Sequence, residues 1–183
     1  MNLNNPEDSE LISSSQQGDL EAFNVLVERY QQQTLKIAYR MLGNLDDAED
    51  VCQNSWLSAW KSIRDFRGGN FKAWIFRIVA NNCKNEYGKR KRKLDISVPD
   101  FMDRAADISE NNEIFTREKM EAVQRALLKL PYDQRLAVTL REFGGLNYEE
   151  IAGVMNCSVG TVKSRLNRGR ITLRDILKTQ DII

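Results

Sequence analysis

Residues 146–177, LNYEEIAGVMNCSVGTVKSRLNRGRITLRDIL, hold two helix starts in close succession. Asn147 is placed to cap a helix whose third position is Glu150, a capping-box arrangement, and Ile151, Ala152 and Met155 give that helix a buried face. It is only about two turns long. After the Asn156-Cys157 turn, Ser158 is placed to cap a second helix in which Val159, Val162 and Leu166 face inward and Thr161, Lys163, Ser164, Arg165 and Arg168 face outward. A short helix, a tight turn and a second helix with a basic, hydroxyl-bearing face fit the bihelical motif that lays its second helix in the major groove of DNA. Arginine suits that place because its planar fork bonds guanine O6 and N7 together, or holds a phosphate. An ordinary helical hairpin with a solvated basic face shares the periodicity; the two caps, the turn and the one-sided charge together favour DNA.

Upstream, Met120, Val123, Ala126, Leu127 and Leu130 follow helical spacing until Pro131, and Leu136, Ala137, Leu140 and Phe143 form a further helix ended by Gly144-Gly145. Residues 116–183 therefore read as one helical unit. A second unit is predicted over 21–93. Phe23, Leu26, Val27, Tyr30, Ile37, Ala38 and Met41 recur at three- and four-residue steps up to Gly43; Asn44 is placed to cap the next helix, with Asp46, Asp47, Glu49 and Asp50 near its positive end. Residues Arg67-Gly68-Gly69-Asn70 read as a loop, after which Phe71, Trp74, Ile75, Ile78 and Val79 restore helical spacing to about Gly88. Between the units, 94–115 is acidic, contains Pro99 and lacks periodicity, the composition of a flexible linker, and residues 1–20 form a polar N-terminal segment. The predicted fold class is all-α: two small helical domains joined by that linker.

The 183-residue chain carries 27 basic and 26 acidic residues, so its net charge of +1 hides a strongly uneven distribution that includes the run Lys89-Arg90-Lys91-Arg92-Lys93. That run is suited either to backbone phosphates or to a solvated helix end. The chain has no histidine, which removes the commonest general base and the histidine metal sites. Cys52, Cys83 and Cys157 are too scattered for a zinc ribbon or a disulfide framework. No apolar run approaches the roughly 18 residues of a membrane span. A cytoplasmic protein without metal, cofactor or small-molecule substrate is the expectation.

The segment YEEIAGVMNCSVGTVKSRLNRGR closely resembles region four of the extracytoplasmic-function sigma factors of the sigma-seventy family. AFNVLVERYQQQTLKIAYRMLGNLDDAEDVCQNSWLSAWKSIRDFRGGNFKAWIFRIVANNCKNEYGKRKRK is similar to their region two, in the expected order. The resemblance covers most of the chain, and two regions together are far more specific than a helix-turn-helix alone. It implies an alternative sigma factor that binds core RNA polymerase and directs promoter-specific initiation. By resemblance, Ser158, Thr161, Lys163, Ser164, Arg165 and Arg168 contact the duplex minus-thirty-five element, with Arg170 on phosphate, although base readout and phosphate contact remain equally open for each residue. The loop residues Phe66, Arg67 and Asn70, with Phe71, Trp74, Arg77, Asn81, Lys84 and Asn85, match the part that recognises the minus-ten element and holds its unpaired strand. Arg77, Asn81 and Asn85 share one helical stripe, and an asparagine amide suits the edge of an unstacked base. Phe71 and Trp74 lie on the apolar face, which favours core over stacking platform. Asp46, Asp47, Glu49, Asp50 and Gln53 match the surface that docks on the polymerase's largest subunit; helix-dipole stabilisation alone suffices for Asp46 and Asp47. The resemblance further implies an anti-sigma factor as partner, often membrane-associated, which would hold the protein at the membrane. An acidic linker disfavours DNA, so a path through a positively charged polymerase channel is expected for it.

Three rival functions stay open on sequence: a stand-alone helix-turn-helix regulator, a protein-interaction module, and an enzyme using Glu149 and Glu150. Adjacent helical residues point about 100° apart, which makes those two carboxylates a poor acid–base pair. For Cys157, a buried structural thiol is favoured over an oxidant sensor.

Overall fold

The structure is a computed structural model that describes residues 7–94 and 114–180. Eight helices account for nearly all of it, and there is no strand among the described residues. The first four, α1 (Asp8–Gln16), α2 (Leu20–Leu42), α3 (Leu45–Ser62) and α4 (Phe71–Leu94), form one unit; α5 (Ile114–Leu128), α6 (Tyr132–Val138), α7 (Tyr148–Met155) and α8 (Val159–Thr179) form the other. The all-α class and the two units are as expected. The linker assigned to 94–115 falls almost wholly outside the described residues.

Local chemistry fixes the helix ends. Asp19 accepts from the backbone N–H of Glu21 and Ala22 at the start of α2, Asn44 from Asp47 at the start of α3, and Ser158 from Thr161 at the start of α8. At the start of α7 the capping box is complete, with Asn147 and Glu150 each accepting the other's backbone N–H at 2.8 Å. Gly43 ends α2 with φ 77°, a left-handed conformation that side chains disfavour. Its missing Cβ also matters, because that atom would sit 2.4 Å from Leu128 of α5. Helix α6 continues into a π-turn over Thr139–Phe143, closed by Gly144 N–H donating to the Thr139 carbonyl at 3.0 Å.

Three features go beyond the sequence reading. Within the N-terminal segment, Asp8–Gln16 form α1, which packs on α2 with Leu11 and Ser15 buried. Helix α4 runs past Gly88 to Leu94, since a single glycine costs only about 1 kcal/mol in a helix otherwise well anchored. The two units also share one continuous core, in which Phe76 and Ala80 of α4 join Leu127, Leu130, Leu140 and Ile151 of the second unit. Polar contacts stitch the seam. Arg135 donates to the Met41 carbonyl at 2.6 Å, Tyr132 to the Ala80 carbonyl at 3.0 Å, and Arg40 to the Gln124 side chain at 2.8 Å. Such contacts reward burial less than an apolar seam would, because the polar groups recover water when parted.

Candidate nucleic-acid interface

Helix α8 presents the predicted recognition face. Lys163, Ser164 and Arg168 are exposed, while Val162 and Leu166 are buried beneath them. The arginines are not equivalent. Arg165 pairs with Asp133 of α6 at 2.6 Å, and Arg170 donates to Glu142 through Nη2 at 2.6 Å and Nε at 3.1 Å. The Glu142 hydrogen bond also holds the Arg170 guanidinium above its usual pKa. An incoming phosphate or base edge would have to displace a carboxylate from these two, whereas no ion pair of Lys163 or Arg168 occurs among the described residues. Ser158 and Thr161 are partly committed: the Ser158 hydroxyl caps the helix and lies 2.9 Å from that of Thr161. Gly169, which the sequence reading passed over, lets α8 approach α6; a Cβ there would lie 2.8 Å from Val138.

The second surface lies on α4 and the loop before it. A short turn over Ile63–Asp65 delivers Phe66 into the core, where its ring meets Phe71 at 5.9 Å and Trp74 at 5.2 Å. Phe66 and Phe71 are buried, so they shape the loop from beneath and offer no stacking face; Trp74 is half-buried. Gly68 and Gly69 take φ values of 94° and 92°, and Asn70 then accepts the Ala73 N–H at 3.3 Å as α4 begins. Arg67 and Asn70 are exposed, and Asn70 donates to Glu150 of α7 at 2.5 Å. With one oxygen on Asn70 and the other in the capping box, the Glu150 carboxylate is occupied structurally, which argues against the enzyme reading. Loop and α1 enclose an open cavity of about 660 Å³, lined also by Arg64, Arg67 and Asn70.

Further along α4, Arg77, Asn81, Lys84 and Asn85 are all exposed. Their spacing sets Arg77, Asn81 and Asn85 in one stripe, as expected, with Lys84 beside it. Lys84 and Asn85 also line a polar groove of about 700 Å³ between α3 and α4, together with Asn54 and Asn82. Neither of these asparagines was singled out in the sequence; Asn82 faces α3, where it donates to Ser55 at 2.9 Å. In the basic run, Arg90 serves the fold, pairing with Asp47 and approaching the Leu42 carbonyl at 3.4 Å. Burial lowers its pKa.

A third surface faces elsewhere. Asp46, Glu49, Asp50 and Gln53 are exposed on α3, whereas Asp47 is half-buried beside Arg90. Glu49 and Gln53 rim a largely apolar groove of about 580 Å³ between α2 and α3, floored by Phe23, Trp56 and Trp60 with exposed Leu20 and Leu57 at its edges. The Trp56 indole N–H is buried there without a partner. The sequence reading found the acidic rim and not the groove. No cluster of acidic or cysteine side chains able to hold a metal occurs among the described residues, and no helix among them is long and apolar enough to cross a membrane.

Residues 26–93 match the family model for Sigma-70 region 2, and residues 120–173 that for Sigma-70, region 4. The RNA polymerase sigma-H factor of Pseudomonas aeruginosa is 38% identical over 178 residues, covering 92% of each chain. The ECF RNA polymerase sigma-E factor of Haemophilus influenzae is 40% identical over 174 residues, covering 89% of this chain and 91% of that one. The chain belongs to the extracytoplasmic-function (ECF) sigma factors. Among solved structures, this ECF chain is similar to the sigma factor RpoE in its complex with the anti-sigma factor NepR from Bartonella quintana: TM-score 0.68, 30% identity, 84% of this chain and 96% of that one. It is also similar to CnrH in complex with the cytosolic domain of CnrY: TM-score 0.72, 25% identity, 94% and 97% covered. Sigma factors are initiation factors and not enzymes, so the carboxylate-pair reading falls.

Proposed function

We propose that this ECF sigma factor binds core RNA polymerase through the α2–α3 groove and its acidic rim, and places two DNA surfaces on a promoter. Region four grips the duplex minus-thirty-five element with α8, chiefly through Lys163, Ser164 and Arg168. Region two receives the unpaired minus-ten strand along Arg67, Asn70, Arg77, Asn81, Lys84 and Asn85. The observation that carries this reading is the segregation of surfaces: the loop and the α4 stripe are exposed and polar or basic, whereas the α2–α3 groove is apolar, acidic at its rim and suited to protein. A stand-alone regulator acting as a monomer has no use for that groove. The anti-sigma partners of the structural relatives suggest that a similar partner restrains this chain, in the cytoplasm or held at the membrane.

The seam between the units has a consequence for the mechanism. Elements named for positions about 25 base pairs apart lie roughly 85 Å apart along duplex DNA at about 3.4 Å per pair. A closed chain of this length has a radius of gyration of about 16 Å. Both elements are reached together only after regions two and four part, so the closed arrangement described here is the unengaged form.

Run-off transcription by purified core polymerase on a pool of promoter fragments tests the reading. Initiation that requires this chain, falls with Asp50→Ala and falls independently with Lys163→Ala/Arg168→Ala is expected. Absence of initiation combined with tight stand-alone binding to duplex DNA would return the helix-turn-helix regulator to the fore.

A further inference from the structure

Helix α1 ends against the loop that leads to the minus-ten surface. Gln16, its last residue, uses both hydrogens of its side-chain amide, donating to the Phe66 carbonyl at 2.8 Å and the Ile63 carbonyl at 3.2 Å. The Ile63 oxygen also receives the N–H of Phe66 at 3.1 Å, whereas the Phe66 oxygen has no other donor among the described residues. Beyond Phe66 the chain enters the Gly68-Gly69 pair, around which a Cβ would meet nothing within 4 Å. The loop is therefore held at Phe66 on one side and at Asn70 on the other, where Asn70 bonds Glu150 and the Ala73 N–H, with the Gly68-Gly69 crest open between them. Phe66 is gripped from two directions, its ring by Phe71 and Trp74 and its carbonyl by Gln16.

The helix that supplies this grip is itself anchored. Asp8 at its start bonds both Arg29 and the hydroxyl of Tyr30 on α2, and Leu11 is buried against the core. Asp8, Ser9, Ile12 and Gln16 form one wall of the 660 Å³ cavity, opposite Arg67 and Asn70. A cavity with one rigid helical wall and one wall of glycine loop discriminates among bases only while the loop holds its place, because base edges are read to within about 0.5 Å. Phosphate contacts by Arg64 and Arg67 tolerate far more movement.

We infer that Gln16 is a positioning residue for base discrimination: it fixes the 66–70 loop against α1, so that the cavity between them takes one unpaired nucleobase selectively. This rests on the proposal that the loop receives the unpaired strand. Loss of the Gln16 donors leaves phosphate attraction in place and blurs the choice of base.

The test uses the reconstituted holoenzyme on a promoter selected from the random pool, with templates pre-opened across the minus-ten stretch and each unpaired base varied in turn. Wild type shows a preference on the order of tenfold at the captured position. Gln16→Glu, which is isosteric but offers acceptors to the two carbonyls, and Gln16→Leu reduce that preference below about threefold, leaving discrimination at other positions and at the minus-thirty-five element within about twofold. Gln16→Lys, which keeps a donor within reach of both carbonyls, restores it. Retained tenfold preference in Gln16→Glu overturns the inference while leaving the promoter-binding proposal intact. Equal loss at every position with a lowered melting temperature also overturns it, by making Gln16 a folding residue. Absence of polymerase-dependent initiation by wild type overturns the proposal and the inference together.

Discussion

Replacing Gln124 by leucine opens the seam between regions two and four. Arg40 and Gln124 are each only 6% exposed, and the partner of this buried guanidinium is a neutral amide at 2.8 Å. Its Nε has no partner, its carbon lies 4.7 Å from the centroid of Phe143, and burial lowers its pKa. In Gln124→Leu the cation loses its side-chain acceptor, which costs about 1.5–3 kcal/mol for a charged hydrogen bond. The Tyr39 carbonyl loses the Gln124 amide at 3.1 Å but keeps Gly43 N–H at 2.8 Å, so it adds little. Leucine regains about 1 kcal/mol by burying apolar surface. In the parted form Arg40 reaches water and the cost disappears, so the net penalty of about 0.5–2 kcal/mol falls on the closed state and shifts the equilibrium roughly two- to thirtyfold toward opening. Spin labels at exposed positions 28 and 178, in a Cys157→Ser background, report the separation by pulsed electron resonance. A longer-distance population that grows with Gln124→Leu is expected, with tighter apparent promoter binding by as much as the gain in competent form. An unchanged distance distribution in a fully folded variant would refute the reasoning.

Lys163→Ala and Arg168→Ala weaken duplex binding and each lower the slope of log affinity against log salt by about 0.9, measured by titration at several salt concentrations. Gly43→Ala, with φ 77° and a Cβ 2.4 Å from Leu128, destabilises by at least about 2 kcal/mol in denaturant melts. Gly68→Ala, strained but unobstructed, costs about 1 kcal/mol. A thiol reagent at pH 8 modifies half-buried Cys157 first, because Cys52 and Cys83 are buried and desolvation pushes the Cys52 thiol up to about 11 and Cys83 higher still. Since the folded state keeps those protons, their stabilisation is full below the unfolded pKa near 9 and is lost as pH rises toward 11, so alkaline melts show falling stability. Equal reactivity of all three thiols in the folded chain would contradict this burial pattern.

What the sequence shows of this molecule is what neighbours along the chain decide. Asn44, Asn147 and Ser158 announce their helices because a cap bonds backbone two or three residues away, and the α8 stripe is legible because charge and apolarity alternate at helical period. Residues acting across the fold carry no such mark. Gln16 looks like one polar residue in SSSQQ, and its bonds to Ile63 and Phe66 span 47 and 50 positions. Arg40, Gln124 and Arg135 belong to residue types usually found at the surface and yet are buried, since each finds its partner 84 to 94 positions away at a seam that periodicity within one helix cannot reveal. The same distinction sorts the DNA candidates. Phe66 and Phe71 are drawn from the site by packing, and Arg165 and Arg170 are held by Asp133 and Glu142, leaving Lys163, Ser164, Arg168 and the α4 stripe facing outward. Charge pattern alone would rank the arginines first. With their ion pairs counted, engagement of DNA by Arg165 would cost the loss of Asp133, so under the proposed function the affinity of helix α8 is expected to rest more on Lys163 and Arg168 than the number of basic residues suggests.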